Sequence, residues 1–414
     1  MQDLKKSRIE IGMLFLLLVM IVPRLSMRFD FEYWTDWALY IHRHGVTNIY
    51  DNPTANYHPM YFYILWIYDL LQGSEHYIRE NIYYLKIFPL FFDFLPLMVL
   101  CCFRQTIVNR EIPYMYLLLN LAYLFNSYVW GQVDSIYTAF SFMALIFAFN
   151  RPVWSSFLFA MALAMKPQPI VYIPVIGLAW LYSVRDVKTW VKMVGVFAAT
   201  WFAMVLPYLI TGNGGELWYI LSTPVGRYPQ VSIGAFNMWY VLPMADPYHT
   251  PDFAKFLFLT YKQWGLLLFF ALSGLALLPM LFRVWRYNRT GVSITDDDKQ
   301  MLMLLSGLVT LYFFYFNTQM HERYAHPIMI FFFFYAVYSK NYKLYILASI
   351  PYFLSLDKLF PDFLPVIHYK IIWAMRVIAI WFTLTILYAT WEYFRQYKIG
   401  AEYRLLKASM TKGN

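Results

Sequence analysis

The sequence predicts an all-α, polytopic integral membrane protein with about twelve transmembrane helices. Three observations lead there. Hydrophobic residues make up 60% of the 414 positions and charged residues 14%, against roughly 25% charged in a soluble protein. Apolar runs of membrane length recur along the chain with short loops between them. Lys and Arg gather in alternate loops, which explains the net charge of +9 by the positive-inside rule rather than by nucleic acid. There is no repeat of fixed period and no long linker, so residues 1–414 read as one transmembrane domain.

In chain order, the first apolar run (near 9–26) follows Lys5, Lys6 and Arg8. No small-x-small cleavage site comes after it, so it reads as a retained helix rather than a signal peptide. Residues 27–84 form an outer loop with interfacial helices. Within it Trp34, Trp37, Ala38 and Ile41 recur at helical spacing, which predicts an amphipathic helix lying along the membrane surface. Asp30 lies one turn before Trp34 on the same face, and Asp36 points away. Met60–Leu71 is too short to cross and carries Asp69, which makes it a second interfacial helix. Further spans are expected near 85–103, 112–129, 135–150, 152–165, 168–184, 190–210, 261–283, 301–317, 326–339, 343–356 and 371–391, followed by a basic cytoplasmic tail at 392–414. With the N-terminus inside, most Lys and Arg fall on the cytoplasmic side; counting Met60–Leu71 as a span would reverse the later loops and lose that bias. Cys101 and Cys102 are adjacent in an apolar run, with no disulfide or metal-ligand pattern.

This topology puts five polar clusters on the outer face: Asp30 to His58, Trp130–Ser135, Lys166–Pro169, Gly226–Trp239 and Asn317–Tyr324. Asp30 is either a helix N-cap or a reacting group; its face and the company of Glu32, Asp36, Tyr57 and His58 favour the second. Asp134 caps the next helix, binds a ligand, or does both. Beside it Gln132 offers donor and acceptor groups, and Gly131 lets backbone approach a ligand. Lys166, between short helices broken by Pro167 and Pro169, either snorkels to the interface or meets an anion. Arg227, Asn237 and Trp239 suit a binding surface. His321, Glu322 and Arg323 end a span: the forked donors of Arg323 suit phosphate, His321 adds a donor or a proton, and Glu322 orients either one. An interfacial charge cluster is the plainer reading of the same three residues. No H-x-x-x-H and no D-x-D falls within these clusters, so no metal ligands are assigned.

The order of these clusters resembles the GT-C glycosyltransferases, multispanning enzymes that use polyprenyl-phosphate sugars on the outer or lumenal face. The likeness is to the dolichol-phosphate-glucose-dependent glucosyltransferases of N-glycan precursor assembly and their bacterial mannosyltransferase-like relatives. Their first-loop acid and aromatic helix correspond to Asp30 and Trp34–Trp37, and their Tyr-Pro-Pro step to Tyr57-His58-Pro59, with His58 replacing the first proline. The bacterial W-G-Q-x-D-S pattern stands intact at Trp130–Ser135. The Lys-Gln pair appears as Lys166 and Gln168, the Ala-Asn-x-Trp element as Ala235 to Trp239 with one residue inserted, and His-Glu-Lys as His321-Glu322-Arg323. The resemblance implies an inverting hexosyltransferase. Asp30 would be the general base, and Arg323 and His321, then Arg227 and Lys166, would receive the lipid phosphate. It also implies a polyprenyl-phosphate sugar donor, a lipid-linked or cell-envelope glycan acceptor, no cofactor, and a bacterial plasma membrane in preference to the ER. A transporter or flippase of a lipid-linked phosphate is the alternative; it would need polar groups on both faces and paired breaks in two halves.

Overall fold

The computed structural model describes residues 2–24, 28–107, 111–223, 226, 228–242, 246–358 and 374–411. It is helical nearly throughout. The β-structure among these residues is four two-residue strands: Ser232–Ile233 runs parallel to Met320–His321, and Lys255–Phe256 pairs with Leu259–Thr260 as a hairpin. Five helical stretches among the described residues are long and apolar enough to cross a membrane: Ile82–Cys102, Val187–Ile210, Tyr261–Thr290, Asp296–Phe316 and Met375–Thr411. Other apolar helices are shorter, such as Asp134–Phe147, Pro152–Met165 and Pro327–Ser339. At 1.5 Å per residue each of these reaches about 20 Å, less than the ~30 Å of a hydrocarbon core.

The stretch expected as one span at 112–129 is broken into Met115–Leu118, Leu121–Leu124 and a π-helical turn, Phe125–Trp130. Asn120 is the cause of the first break. Its side-chain oxygen accepts from the Ala122 amide at 2.9 Å, and its nitrogen donates to Tyr345 and Ser349 at 2.7 and 2.8 Å. A side chain that competes for backbone partners in this way interrupts a helix.

The chain packs as two compact units. The first comprises Met1–Asn109, Leu124–Ile170 and Asp186–Pro224. Its helix Arg28–His44 buries Trp34, Trp37, Ala38 and Ile41 and leaves Asp36 exposed, the stripe its periodicity predicts. That stripe meets the helix Pro59–Gln72, with Trp34 edge-on to Tyr61 at 5.9 Å and Trp37 to Phe62 at 5.5 Å. Asp69, the acid inside this short helix, is buried because His42 meets it at 2.7 Å. Pro59 at the first helical position and Gly73 in the left-handed conformation (φ 69°) set the ends of the helix.

The second unit comprises Arg110–Tyr123, Val171–Arg185 and Val225–Asn414. Its core is the pair Asp296–Phe316 and Pro327–Ser339, both buried along nearly their whole length. The Phe332 ring occupies the space a Cβ at Gly307 would need. At the other end of this core Arg283 is held by Asp297, Asp298 and Glu402 at 2.6–2.8 Å, which ties the C-terminal helix Ile399–Thr411 to Tyr261–Thr290.

Candidate active site

In the first unit, the polar residues from three of the sequence clusters come together. Asp30 lies in the first turn of Arg28–His44, half-buried, rather than ahead of the helix as a cap. Its Oδ2 accepts two hydrogen bonds of 2.8 Å, from the Trp130 indole and from Gln132 Nε2. Its Oδ1 accepts none among the described residues. The two donors are delivered by local backbone: the π-turn Phe125–Trp130 ends at Gly131, whose φ of 88° turns the chain so that Gln132 follows Trp130 to the same carboxylate. A Cβ at Gly131 would lie 2.8 Å from the Phe31 ring and 3.0 Å from Lys86 Cγ. The glycine therefore makes room for Phe31 and Lys86, where the sequence suggested a ligand.

Two residues beyond Gln132, Asp134 Oδ1 forms a buried ion pair with Lys166 Nζ at 2.9 Å. Lys166 extends the backbone just past the helix Pro152–Met165, and Asp134 begins Asp134–Phe147. The lysine also lies 5.6 Å from the Tyr57 ring centre and 5.9 Å from that of Tyr137. The anionic partner foreseen for Lys166 is thus Asp134 of the same chain, and neither residue snorkels. A pair buried this deeply is stable only when both members are present.

His58 caps Pro59–Gln72, and its Nδ1 donates to the Leu163 carbonyl at 2.9 Å. That bond fixes the tautomer and leaves Nε2 an acceptor, which has no hydrogen-bond partner among the described residues. Burial first, and the nearby Lys166 ammonium as well, hold His58 below the usual imidazole range, although the bond to Leu163 works the other way. Tyr61, on the same helix, is near enough to Asp30 to feel its charge; its buried hydroxyl, the Gln132 Oε1 and the Gln168 Oε1 are likewise unpartnered among the described residues. Burial first, then Tyr57 and Asp30, raise the Tyr61 phenol well above its usual value. Tyr61 was not picked out in the sequence; its ring meets at 4.9 Å that of Tyr57, which lies ahead of the helix, so no helical spacing links the two.

In the second unit, His321 sits on the short strand paired with Ser232–Ile233, and Glu322 and Arg323 open the 3-10 turn that follows. Arg323 Nη1 donates to Glu322 Oε1 at 3.1 Å and to His321 Nδ1 at 3.3 Å. An arginine cannot accept, so the imidazole carries its proton on Nε2. Glu322 is buried at 3% exposure, and Arg323 keeps 12% of its side chain exposed and lies over the Tyr324 ring. Gly234, at φ 81°, allows the approach, because a Cβ there would lie 2.7 Å from Glu322 Oε2. Tyr228 stands edge-on to His321 at 5.7 Å.

Asn237 is buried and wholly engaged by the scaffold. It caps the turn Met238–Val241 and donates to the carbonyls of Phe314 and Asn317 at 3.2 and 3.3 Å. Arg227 lies outside the described residues. Among the described residues no three His, Cys, Asp or Glu side chains gather as a metal-ligand group. Neither a scan against protein-family models nor a search of curated proteins finds a match to this chain.

Proposed function

We propose that this protein is an inverting hexosyltransferase of the GT-C type. It would take mannose or glucose from a polyprenyl-phosphate sugar to a hydroxyl of a lipid-linked or cell-envelope glycan. The reading includes twelve membrane segments and an outward-facing site in a bacterial plasma membrane. The observation that supports it best is the state of Asp30: one carboxylate oxygen fixed by two donors, the other open, on the face the topology assigns to the outside. An oxygen that already receives two hydrogen bonds is the weaker base, so the proton would go to Oδ1.

In the proposed reaction the acceptor hydroxyl gives its proton to Asp30 Oδ1 as its oxygen attacks the anomeric carbon. The bond from that carbon to the phosphate oxygen breaks on the opposite face, which inverts the configuration. General-base assistance of this kind is worth on the order of 10²–10⁴ in rate. The first unit holds the base and acceptors at His58, Gln132 and Gln168 that have no hydrogen-bond partner among the described residues, which suits the many O–H donors of a saccharide. Lys166 and Asp134 would hold that wall through their ion pair.

The second unit holds a cationic group of its own. Arg323 and the Nε2–H of His321, with Glu322 orienting the guanidinium, are donors that suit a lipid phosphate. An apolar groove of about 900 Å³ in the first unit, lined among others by Tyr63, Ile67, Leu71, Phe88, Phe91 and Met204, suits an isoprenoid chain.

Asp30→Asn and Asp36→Asn test the assignment. Asp30→Asn should abolish turnover with donor binding kept. Asp36→Asn should stay within about tenfold of the parent, since its partners are the nearby Asn52 and Thr54. Equal losses, or normal turnover in Asp30→Asn, would remove Asp30 as the base.

A further inference from the structure

A second carboxylate, unused by this mechanism, stands in the middle of an apolar helix. Asp93 lies within Ile87–Ile107 and has no exposed surface. Acids at such positions are rare and usually serve a function. Ser127 donates its hydroxyl to Asp93 Oδ2, and Ser127 belongs to the π-helical turn Phe125–Trp130. That turn ends with the amides of Gly131 and Gln132 both on the Asn126 carbonyl, the second at 2.8 Å. It carries Trp130 and leads through Gly131 to Gln132, the two donors to Asp30 Oδ2. A π-turn holds one residue more than an α-turn, so its loss would rotate Trp130 and Gln132 by about 100° relative to what precedes them.

We propose that Asp93 is a positioning residue for Asp30. By holding Ser127 it fixes the π register, and the register decides where Trp130 and Gln132 grip Oδ2 and leave Oδ1 open. The Tyr128 hydroxyl, which donates to the Ile21 carbonyl at 2.8 Å, anchors the same turn to the end of the first helix. Asp93 therefore acts on the register and does not bear the fold of the turn alone. The inference rests on the reading of Asp30 as the general base.

The test uses the purified full chain with polyprenyl-phosphate mannose and polyprenyl-phosphate glucose as donors, and membrane extract as acceptor source. Asp93→Ala and Ser127→Ala should each lower kcat by about tenfold to a hundredfold with KM for the donor unchanged. Asp93→Asn keeps an oxygen that accepts from Ser127 and should recover most of the rate. If Asp93→Ala does not fold, Ser127→Ala decides. A folded Ser127→Ala with the parent's kcat overturns the inference, as does an Asp93→Asn no better than Asp93→Ala. Asp30→Asn separates the two claims: if it retains activity, the base assignment itself has failed. If it is inactive while Ser127→Ala behaves as the parent, only the role of Asp93 has.

Discussion

His58 shows at a single residue what the site does to a titratable group. Its imidazole is buried beside an ammonium, and the folded state resists protonation. As pH falls, the unfolded chain takes up this proton first. The stability contributed by neutral His58 is complete above about pH 6.5 and is lost as pH falls from there through the lower folded-state value. Thermal unfolding followed from pH 8 to pH 5 should therefore show a steeper loss in the parent than in His58→Gln. Parallel profiles would mean that His58 does not carry this penalty. The inward face of Asp30 was legible in the sequence, because 100° per residue places it above Trp34 whatever the tertiary structure. The partner of Lys166 was not. Asp134 is 32 positions away, and nothing local in either segment encodes that meeting.

Among the elements, the amphipathic helix Arg28–His44 and the short helix Pro59–Gln72 follow directly from periodicity and from Pro59 and Gly73. The π-turn and the breaks before it do not, because they depend on Asn120 finding Tyr345 and Ser349, and on Ser127 finding Asp93. The two-residue strand at Met320–His321 is similarly invisible in sequence, being defined by its pairing to Ser232–Ile233. That pairing can be probed at Gly234. Gly234→Ala adds a Cβ at a left-handed φ and against Glu322; it should cost roughly 1–3 kcal/mol and weaken binding of polyprenyl phosphate by displacing the partner of Arg323. Gly274→Ala, in open space within Tyr261–Thr290, should leave both unfolding temperature and lipid binding near the parent. If Gly234→Ala binds the lipid phosphate normally, Glu322 does not orient Arg323 for that ligand.

At the scale of the whole molecule, composition alone indicated a helical, apolar chain, and the long helices agree with it. Span count was the harder property. Apolar runs of 13–15 residues, such as Pro327–Ser339 and Lys343–Asp357, look alike in sequence whether they cross a bilayer or fill a core. The proposed topology makes a direct prediction for exposed positions. Cysteines at His76 and Tyr248 should react with an impermeant thiol reagent in intact cells, and one at Thr290 only after permeabilisation. Labelling of the Thr290 position from outside would reverse the orientation and move all five polar clusters to the cytoplasm. The reaction itself is tested most directly by product analysis. Purified protein in lipid nanodiscs is supplied with polyprenyl-phosphate mannose or glucose and membrane extract, and donor, lipid product and acceptor are followed by mass spectrometry. The proposed chemistry requires that polyprenyl phosphate appear in step with one added hexose on the acceptor. Donor lipid that is bound or moved across the bilayer with its sugar intact, and no hexose added, would contradict it.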